Sequence, residues 1–448
     1  MQARPMRSFR FRVYPFKKQE LTLNNQLELA KRLYNLLLDR ANKKYKEEKK
    51  GFACFDMNKY IAEFRAEHAE YQAIHSQALQ NVSDRVSKAY SNFFKRIRRK
   101  KSGECIKAGF PRFKRFVKSI TYPQSGFELM DNNHKLKLSK VGGIPIKMHR
   151  KLSGKIKTLT IKRELSGKWF AILTCDLSDS ASNIPFSNGS NEKIGIDVGI
   201  QKFAAFSNGE VVSNPGFYVV SEKKLKRIQK RLSRKEKRST NRKKARLALA
   251  RLHEKISDQR NDFLHKLSRK IVNEYGFIAA EKLKISNMVR ANGNNRRNHA
   301  HFNSFSKHIS DASWNKFMQM LSYKAESAGR KLICVDPRGT SQECSNCRQM
   351  VRKELSERVH RCPFCGIIID RDINAAINIL RKAELVCKDE KSAATAGPAG
   401  SQACAISSEG NATAFHLTEK SGGDRAYAPS HKDKASMVCE AGTICDAA

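Results

Sequence analysis

The chain has 448 residues, of which 40% are hydrophobic, so it is long enough for two or three packed domains. Its formal net charge of +44 favours a polyanionic partner, and because the basic residues recur through periodic segments we expect nucleic acid rather than a merely solvated surface. No run approaches the roughly 18 apolar residues of a membrane span, and the start of the sequence lacks the apolar core of a signal peptide. We therefore expect a cytoplasmic protein without a membrane partner.

The first predicted elements are a strand and two amphipathic helices. Residues 8–15 alternate apolar and basic side chains, which is typical of a half-buried strand. A helix follows, with apolar residues at helical spacing between Leu27 and Ala41. A second helix runs from Leu79 to Ile97 and ends in a basic cluster that is a candidate phosphate contact. We expect the aromatic residues of this second helix to pack in a core rather than to stack on bases.

Short β-type runs come next and predict a small β-barrel. They lie at 135–140, 144–148, 155–163 and 168–175. Turns containing Gly142-Gly143 and Ser166-Gly167 separate them. The first strand is expected to return to this barrel, which then comprises residues 1–21 and 105–178. The helices of residues 22–104 become an insertion between its strands.

Three segments carry no regular pattern. Residues 109–115 interleave Phe with Lys and Arg around Pro and Gly, which suits a nucleic-acid-contacting loop, although a simple turn fits almost as well. The polar, helix-breaking stretch 179–192 is predicted to be a linker. The tail 384–448 has nine acidic and six basic residues and no sustained period, so we expect it to be disordered.

A second alternation begins at Lys193 and predicts the first strand of an α/β domain spanning residues 193–383. One face of this strand carries Ile194, Ile196, Val198 and Ile200. Gly195, Asp197 and Gly199 share the other face, so the acid is flanked by glycines that leave room for a backbone or a phosphate. A lone strand aspartate is usually a surface or turn residue, but this one interrupts an apolar run, which favours a function.

Residues 222–256 predict one or two very basic helices. They contain sixteen Lys or Arg against three Glu and are broken near Ser239–Asn241. Their apolar stripe is narrow and packs one side only. The other faces therefore form a basic surface able to displace counterions from a duplex backbone.

The apolar run 275–283 predicts a buried central strand with Glu281 at its exit. A helix from Trp314 to Ala328 follows this strand. A further strand is predicted at 331–337, directly before the cysteine motif. An acid at the exit of a central strand is a second candidate functional residue.

Two C-x-x-C pairs predict a structural zinc site. The four residues are Cys344, Cys347, Cys362 and Cys365, in the pattern C-x2-C-x14-C-x2-C that is close to that of zinc ribbons. Four thiolates close a tetrahedral site and leave no open position, so we expect Zn²⁺ with a structural role in a ribbon spanning 340–369. Four unrelated cysteines are the alternative. Only these four of the twelve cysteines have ligand spacing.

Two acids, Asp370 and Asp372, follow the last cysteine pair at the mouth of an apolar helix. The N–H groups and the dipole of a helix N-terminus favour a carboxylate there. Asp372 could therefore join a functional site, or it could serve only as the N-cap of the helix.

Asp197, Glu281 and Asp372 lie on a first strand, a fourth strand and a final helix, which is the layout of RNase H-like nucleases. Three clustered carboxylates are costly unless cations neutralise them. Mg²⁺ or Mn²⁺ would do so with oxygen ligands. Two such ions about 4 Å apart activate water and stabilise the leaving oxygen during displacement at phosphorus.

The ordered motifs resemble those of the TnpB (OrfB) family of insertion-sequence proteins, relatives of type V CRISPR effectors. They are G-I-D-V-G-I, A-A-E-K-L, T-S-Q-E-C-S-N-C and C-P-F-C-G-x-x-x-D-R-D-x-N-A-A-x-N-I. The N-terminal F-R-F-R-V-Y-P, the helix from Gln77 and G-F-P-R-F-K also resemble the family. The resemblance covers about residues 8–383 and does not extend to the tail.

The resemblance implies an RNA-guided DNA endonuclease encoded by a prokaryotic transposable element and associated with the nucleoid. Its fold would be α/β plus β-barrel: an RNase H-like (RuvC) nuclease domain with an inserted zinc ribbon, preceded by a wedge barrel with a helical insertion. The barrel and insertion would grip the guide RNA and read a short motif beside the target. Double-stranded DNA would be the target, and the basic helices would hold the heteroduplex and the displaced single strand.

Asp197, Glu281 and Asp372 match the family's catalytic acids, which bind magnesium. Asp372 is preferred over Asp370 because the family motif keeps the acid two residues before N-A-A. Two other functions remain open. The chain could be an RNA-guided DNA-binding protein or repressor that does not cut, or a transposase acting directly on element ends.

Overall fold

The structure is a computed structural model that describes residues 6–48, 54–178, 191–285, 288, 299–354 and 356–394. Residues 179–190 of the predicted linker and 395–448 of the predicted tail lie outside this description. The chain divides into a unit of residues 1–404 and a unit of residues 405–448, and every described residue belongs to the first.

A seven-stranded antiparallel sheet forms the N-terminal half. Its strands are β1 (Met6–Val13), β2 (Ser119–Tyr122), β3 (Phe127–Met130), β4 (Lys135–Leu138), β5 (Gly142–Lys147), β6 (Lys155–Arg163) and β7 (Trp169–Asp176). They are ordered β2-β6-β7-β1-β5-β4-β3, so β1 lies between β7 and β5. The predicted return of the first strand is confirmed. The turn predicted at Gly142-Gly143 is wrong, because Gly142 already pairs with Leu138 and the turn is made by residues 139–141.

The connection between the two edge strands requires this sheet to curl. A flat sheet of seven strands would separate β2 from β3 by about 29 Å at a spacing of about 4.8 Å per strand. The residues 123–126 that join them can span no more than about 18 Å. The sheet must therefore bend into a nearly closed barrel, as the sequence predicts.

Between β1 and β2 the described residues form three α-helices. They are α1 (Lys17–Glu48), α2 (Cys54–Glu67) and α3 (Ser76–Lys101). One hydrophobic core joins them to the sheet, and it includes Phe11, Leu37 and Leu159, all fully buried. Phe93 of α3 is also buried, as predicted for a core aromatic. α1 begins earlier than the predicted boundary at residue 22, and the sequence analysis did not identify α2, β2 or β3.

A five-stranded sheet forms the C-terminal half. Its strands are β8 (Lys193–Val198), β9 (Lys202–Phe206), β10 (Val211–Ser213), β11 (Phe277–Glu281) and β12 (Lys331–Val335). The order is β10-β9-β8-β11-β12. β8, β9 and β10 are antiparallel neighbours, whereas β8, β11 and β12 run parallel.

Helices cover both faces of this sheet. The helices of this half are α4 (Phe217–Ser233), α5 (Thr240–Glu274), α6 (His299–Ala312), α7 (Trp314–Ser327) and α8 (Arg371–Ala394), of which α4 packs on α5 rather than on the sheet. Ile194 and Ile196 pack with α5, α6 and α7, whereas Ala279 packs with Ile379 of α8 on the opposite face. The predicted break between the basic helices is confirmed, and Ser239 caps α5 by accepting a hydrogen bond from the Arg242 N–H. α8 continues to Ala394, so the tail does not begin at Glu384 as predicted.

Within the described residues, no helix combines the length and the apolar character that crossing a membrane would require.

Candidate acidic site and cysteine cluster

Asp197 faces helix α8. Because Ile194 and Ile196 point into the core under α5 and α7, Gly195 and Asp197 occupy the other side of β8. A Cβ at Gly195 would lie 2.1 Å from the carbonyl oxygen of Ala376 on α8. The sequence analysis left open whether Gly195 makes room for a backbone or for a phosphate. The structure shows that it makes room for the backbone of α8. This close approach brings the first turn of α8 to the end of β8.

Glu281 lies beside Asp197 on the neighbouring strand. The parallel register sets Ala280 opposite Ile196, so the next residues along the two strands are Glu281 and Asp197. The Thr340 hydroxyl donates its one proton to Glu281 Oε1 at 2.6 Å, and it also lies 2.9 Å from the Pro337 carbonyl oxygen. Thr340 is buried, so this contact holds one oxygen of Glu281 at a position shielded from solvent.

Asp370 is the N-cap of α8, and Asp372 is not. Asp370 Oδ1 accepts hydrogen bonds from the N–H groups of Asp372 at 3.0 Å and Ile373 at 3.3 Å. Asp370 Oδ2 forms an ion pair with Lys202 Nζ at 2.5 Å. Burial opposes ionisation of Asp370, but Lys202 and the two N–H groups outweigh it and lower its pKa. The N-cap alternative for Asp372 is therefore wrong, and its side chain is available for another role.

The charges of Glu281 and Asp372 both act on the carboxyl group of Asp197. Burial raises the pKa of Asp197 well above its ordinary value, and the charges of Glu281 and Asp372 raise it further. Arg371 and a backbone hydrogen bond from Val198 act in the opposite direction. Burial also raises the pKa of Glu281, while the Thr340 hydrogen bond and Lys382 oppose that rise. A cation beside these acids would relieve the cost of ionising them together.

Asp372 also has basic neighbours. Arg371 Nε lies 3.5 Å from Asp372 Oδ1, and Lys202 Nζ lies 3.9 Å from Asp372 Oδ2. In the described part of the chain, the three acids do not form a ligand group as compact as that of the cysteines.

The four predicted cysteines converge. Their sulfur atoms all lie within 4.8 Å of one another, with Cys344 Sγ 3.7 Å from Cys365 Sγ and Cys347 Sγ 3.4 Å from Cys362 Sγ. A tetrahedral zinc site with Zn–S bonds of about 2.3 Å needs sulfurs about 3.8 Å apart. The four predicted cysteines therefore lie together, and the spacing of their sulfur atoms fits Zn²⁺.

Both cysteine pairs lie in tight turns. The residue after each second cysteine, Arg348 or Gly366, has a positive φ of 67° or 72°, which turns the chain back so that both sulfurs of a pair face one point. The second turn closes a hairpin of β13 (Val359–Arg361) and β14 (Ile368–Asp370). This hairpin leads directly into α8.

Two buried asparagines of α8 hold the cysteine turn against the helix. Asn374 Nδ2 donates to the Glu343 carbonyl at 2.8 Å, and Asn374 Oδ1 accepts from the Ser345 N–H at 2.9 Å. Asn378 Nδ2 donates to the carbonyls of Thr340 at 2.9 Å and Glu343 at 2.7 Å. Asn374, which anchors the first cysteine turn, is two residues from Asp372 along α8.

The sequence analysis missed the supporting residues of this site. Thr340, Asn374 and Asn378 stand inside the motifs that carry the family resemblance, so their position was a usable signal. Lys202 carried no such sequence signal, because it is one of 87 lysines and arginines in the chain.

Replacing a cysteine ligand should remove the metal and loosen the ribbon. We expect Cys362→Ser to lose zinc, whereas the unaltered chain carries about one zinc per chain. Loss of the metal should cost several kcal/mol of folding free energy and lower the unfolding temperature by about 5 °C or more. Metal analysis and thermal unfolding measure both effects. Cys105→Ser, at an exposed cysteine, is the control, and an unaltered zinc content in Cys362→Ser would contradict the assignment.

Three family models match the chain. A model described as OrfB_IS605, Probable transposase, matches residues 182–292, and a Cas12f1-like TNB domain matches residues 314–379. A model described as a helix-turn-helix domain matches residues 6–50. In the described residues 6–48 that last region is a strand followed by one long helix.

Known proteins are similar over most of the chain. A protein of Streptomyces pristinaespiralis, named as an RNA-guided DNA endonuclease, is 31% identical over 84% of this chain and 88% of its own length. InsQ of Escherichia coli K12, which has the same description, is 29% identical over 84% of this chain and 92% of its own length. Cas12f1 in a complex with sgRNA and target DNA has the same fold, with a TM-score of 0.51 at 15% identity over 81% of this chain and 83% of that one.

The fold and the cysteine cluster thus place the chain among compact proteins built like Cas12f1. The 31% identity to the Streptomyces pristinaespiralis protein, over most of both chains, narrows this class to one family. The chain belongs to the TnpB (OrfB) family of insertion-sequence proteins.

Proposed function

We propose that the protein is an RNA-guided DNA endonuclease that cuts double-stranded DNA by metal-dependent hydrolysis. The observation that carries this proposal is the placement of Asp197 and Glu281 on adjacent parallel strands, with Asp372 close enough to raise the pKa of Asp197. The order of the five strands, in which β9 pairs antiparallel with the central strand β8 and β11 pairs parallel with its other edge, supports an RNase H-like (RuvC) domain. Membership of the TnpB family supports guidance by RNA.

Asp197, Glu281 and Asp372 would hold magnesium or manganese, because these ions prefer carboxylate oxygens. When bound, such ions activate water and stabilise the leaving oxygen of a phosphodiester. Thr340 fixes the position of Glu281, and the Asp370 cap fixes the first turn of α8 and with it Asp372. Zn²⁺ in the cysteine cluster would have a structural role.

The basic helices support a polyanionic partner. α4 and α5 pack together through Leu225, Leu249 and Ile256. A groove of about 600 Å³ between them is lined by basic side chains: Arg227, Arg231, Lys235 and Lys244. Such a surface binds a nucleic-acid backbone by releasing counterions, so binding should weaken as salt increases.

The test is a cleavage assay with the RNA that copurifies with the protein. A plasmid library would carry the complement of that RNA next to randomised flanking sequence. We expect linear products that require magnesium, the matched target and a short flanking motif. Retention of the target without cutting across the library would indicate an RNA-guided DNA-binding protein instead. Strand-transfer products without RNA would indicate a transposase, as the description of the matched family suggests.

Removing the Thr340 hydroxyl should impair cleavage without unfolding the chain. Thr340→Val keeps the shape but deletes the 2.6 Å hydrogen bond to Glu281. Loss of such a supporting contact typically costs about 10- to 100-fold in activity or metal affinity. We expect slower cleavage and a higher magnesium requirement, both restored by Thr340→Ser. Equal magnesium dependence in Thr340→Val and the unaltered protein would contradict this role.

A further inference from the structure

The segment between α3 and β2 has no regular secondary structure, yet its backbone is anchored. Asn35 of α1 forms two hydrogen bonds with Lys114, from its Nδ2 to the carbonyl at 3.0 Å and from the Lys114 N–H to its Oδ1 at 2.8 Å. Arg96 of α3 donates to the Gly109 carbonyl at 3.2 Å. Side chains add to these anchors, because Lys114 Nζ lies 3.7 Å from the centre of the Tyr34 ring.

The anchored segment presents two phenylalanine rings to solvent. Phe113 is 56% exposed and Phe116 is 59% exposed, and in the described part of the chain neither ring belongs to a hydrophobic core. Phe110 differs, because its ring stacks on Phe93 with ring centres 4.5 Å apart and helps to anchor the segment. Exposed rings on a fixed backbone offer stacking surface without the entropic cost of ordering a loop.

Basic side chains alternate with these rings. Arg112 and Arg115 are exposed and each directly precedes Phe113 or Phe116. Lys118 Nζ lies 5.1 Å from the centre of the Phe116 ring. Rings that stack on bases, next to cations that contact phosphates, are the combination used to bind unpaired nucleotides.

We infer that Phe113 and Phe116 form a stacking platform for unpaired nucleotides of the guide RNA, with Arg112 and Arg115 on the flanking phosphates. Duplex DNA keeps its bases stacked inside the helix, whereas RNA loops and ends display unpaired bases that stack on aromatic side chains. The platform also lies on the N-terminal sheet and its helices, whereas the acidic site belongs to the other sheet. The identity of the RNA rests on the proposed function, but the stacking itself does not require cleavage.

The test uses the full chain, freed of RNA at high salt, and the RNA that copurifies with it. In Phe113→Leu/Phe116→Leu, which keeps apolar bulk but removes the rings, we expect affinity for that RNA to fall by about tenfold or more. Ultraviolet crosslinks between RNA and peptide 109–118 should be present in the unaltered protein and lost in this variant. Phe55→Leu alters a phenylalanine that is 80% exposed on α2 and should change neither result.

Arg112→Gln/Arg115→Gln should weaken RNA binding and reduce its dependence on salt, because phosphate contacts are lost. Unaltered RNA affinity and crosslinking in the phenylalanine variant would overturn the inference. Loss of binding to single-stranded DNA with RNA binding intact would also overturn it, because the platform would then serve the DNA. If the phenylalanine variant loses RNA while the unaltered complex never cuts DNA, the inference stands and the proposed nuclease function fails.

Discussion

Asp197→Asn should abolish DNA cleavage. The substitution keeps the shape of the side chain but removes the carboxylate at the centre of the acidic site, so it should lower the cleavage rate by about three orders of magnitude or more. Binding of guide RNA and matched DNA should persist, since the basic helices and the N-terminal sheet are unaltered. Gel shift and cleavage assays on the same preparation separate the two effects.

The same variant should be more stable than the unaltered protein in the presence of EDTA. Because the pKa of Asp197 is raised in the folded state, its charge opposes folding at pH values above the ordinary aspartate pKa of about 3.9. A neutral side chain removes that cost at neutral pH, and the gain should vanish in acid, where the carboxyl is protonated in both states. Cleavage at the normal rate by Asp197→Asn would refute the assignment of the acidic site.

Gly195→Ala should damage both stability and cleavage. The new Cβ would lie 2.1 Å from the Ala376 carbonyl oxygen and 2.9 Å from Leu380 Cβ, so α8 must move away from the sheet. Overpacking of this kind costs about 1–3 kcal/mol or more. A displacement of about 1 Å at Asp372 would lower cleavage by about 100-fold. Thermal unfolding and cleavage rates measure the two losses.

Gly109→Ala is the matched control for this substitution. A Cβ there would meet nothing within 4 Å, and the backbone conformation is one that alanine adopts. Its stability should equal that of the unaltered protein. If Gly195→Ala cut DNA as well as the unaltered protein, the close approach of α8 would not be needed to position Asp372.

Local patterns predicted the elements that carry the site. The apolar alternation around Asp197 identified β8 and its two faces, and the apolar run before Glu281 identified a buried strand. The short strands β2 and β3 were missed because four residues give too little alternation to separate a strand from a loop. The helix α2 was missed because only Met57 and Ile61 are buried in it, which makes a weak apolar stripe.

Side-chain contacts between segments far apart in the chain could not be predicted from the sequence. The hydrogen bond between Thr340 and Glu281 joins residues 59 positions apart, and the ion pair between Lys202 and Asp370 joins residues 168 positions apart. Such contacts depend on the register of the sheet and on how closely α8 packs against it. Neither the sheet register nor the packing distance of α8 produces a periodic pattern in the sequence.

The sequence by itself determined which four cysteines cluster, because the two C-x-x-C turns and their separation are local properties of the chain. It also determined the basic character of α4 and α5 and the strand that carries Asp197. Only the tertiary structure decided that Asp370 caps α8 while Asp372 stays available to face Asp197, since both acids fit the same local pattern. The parallel register of β8 and β11, and the missing side chain at Gly195, are what bring the acids of three segments together.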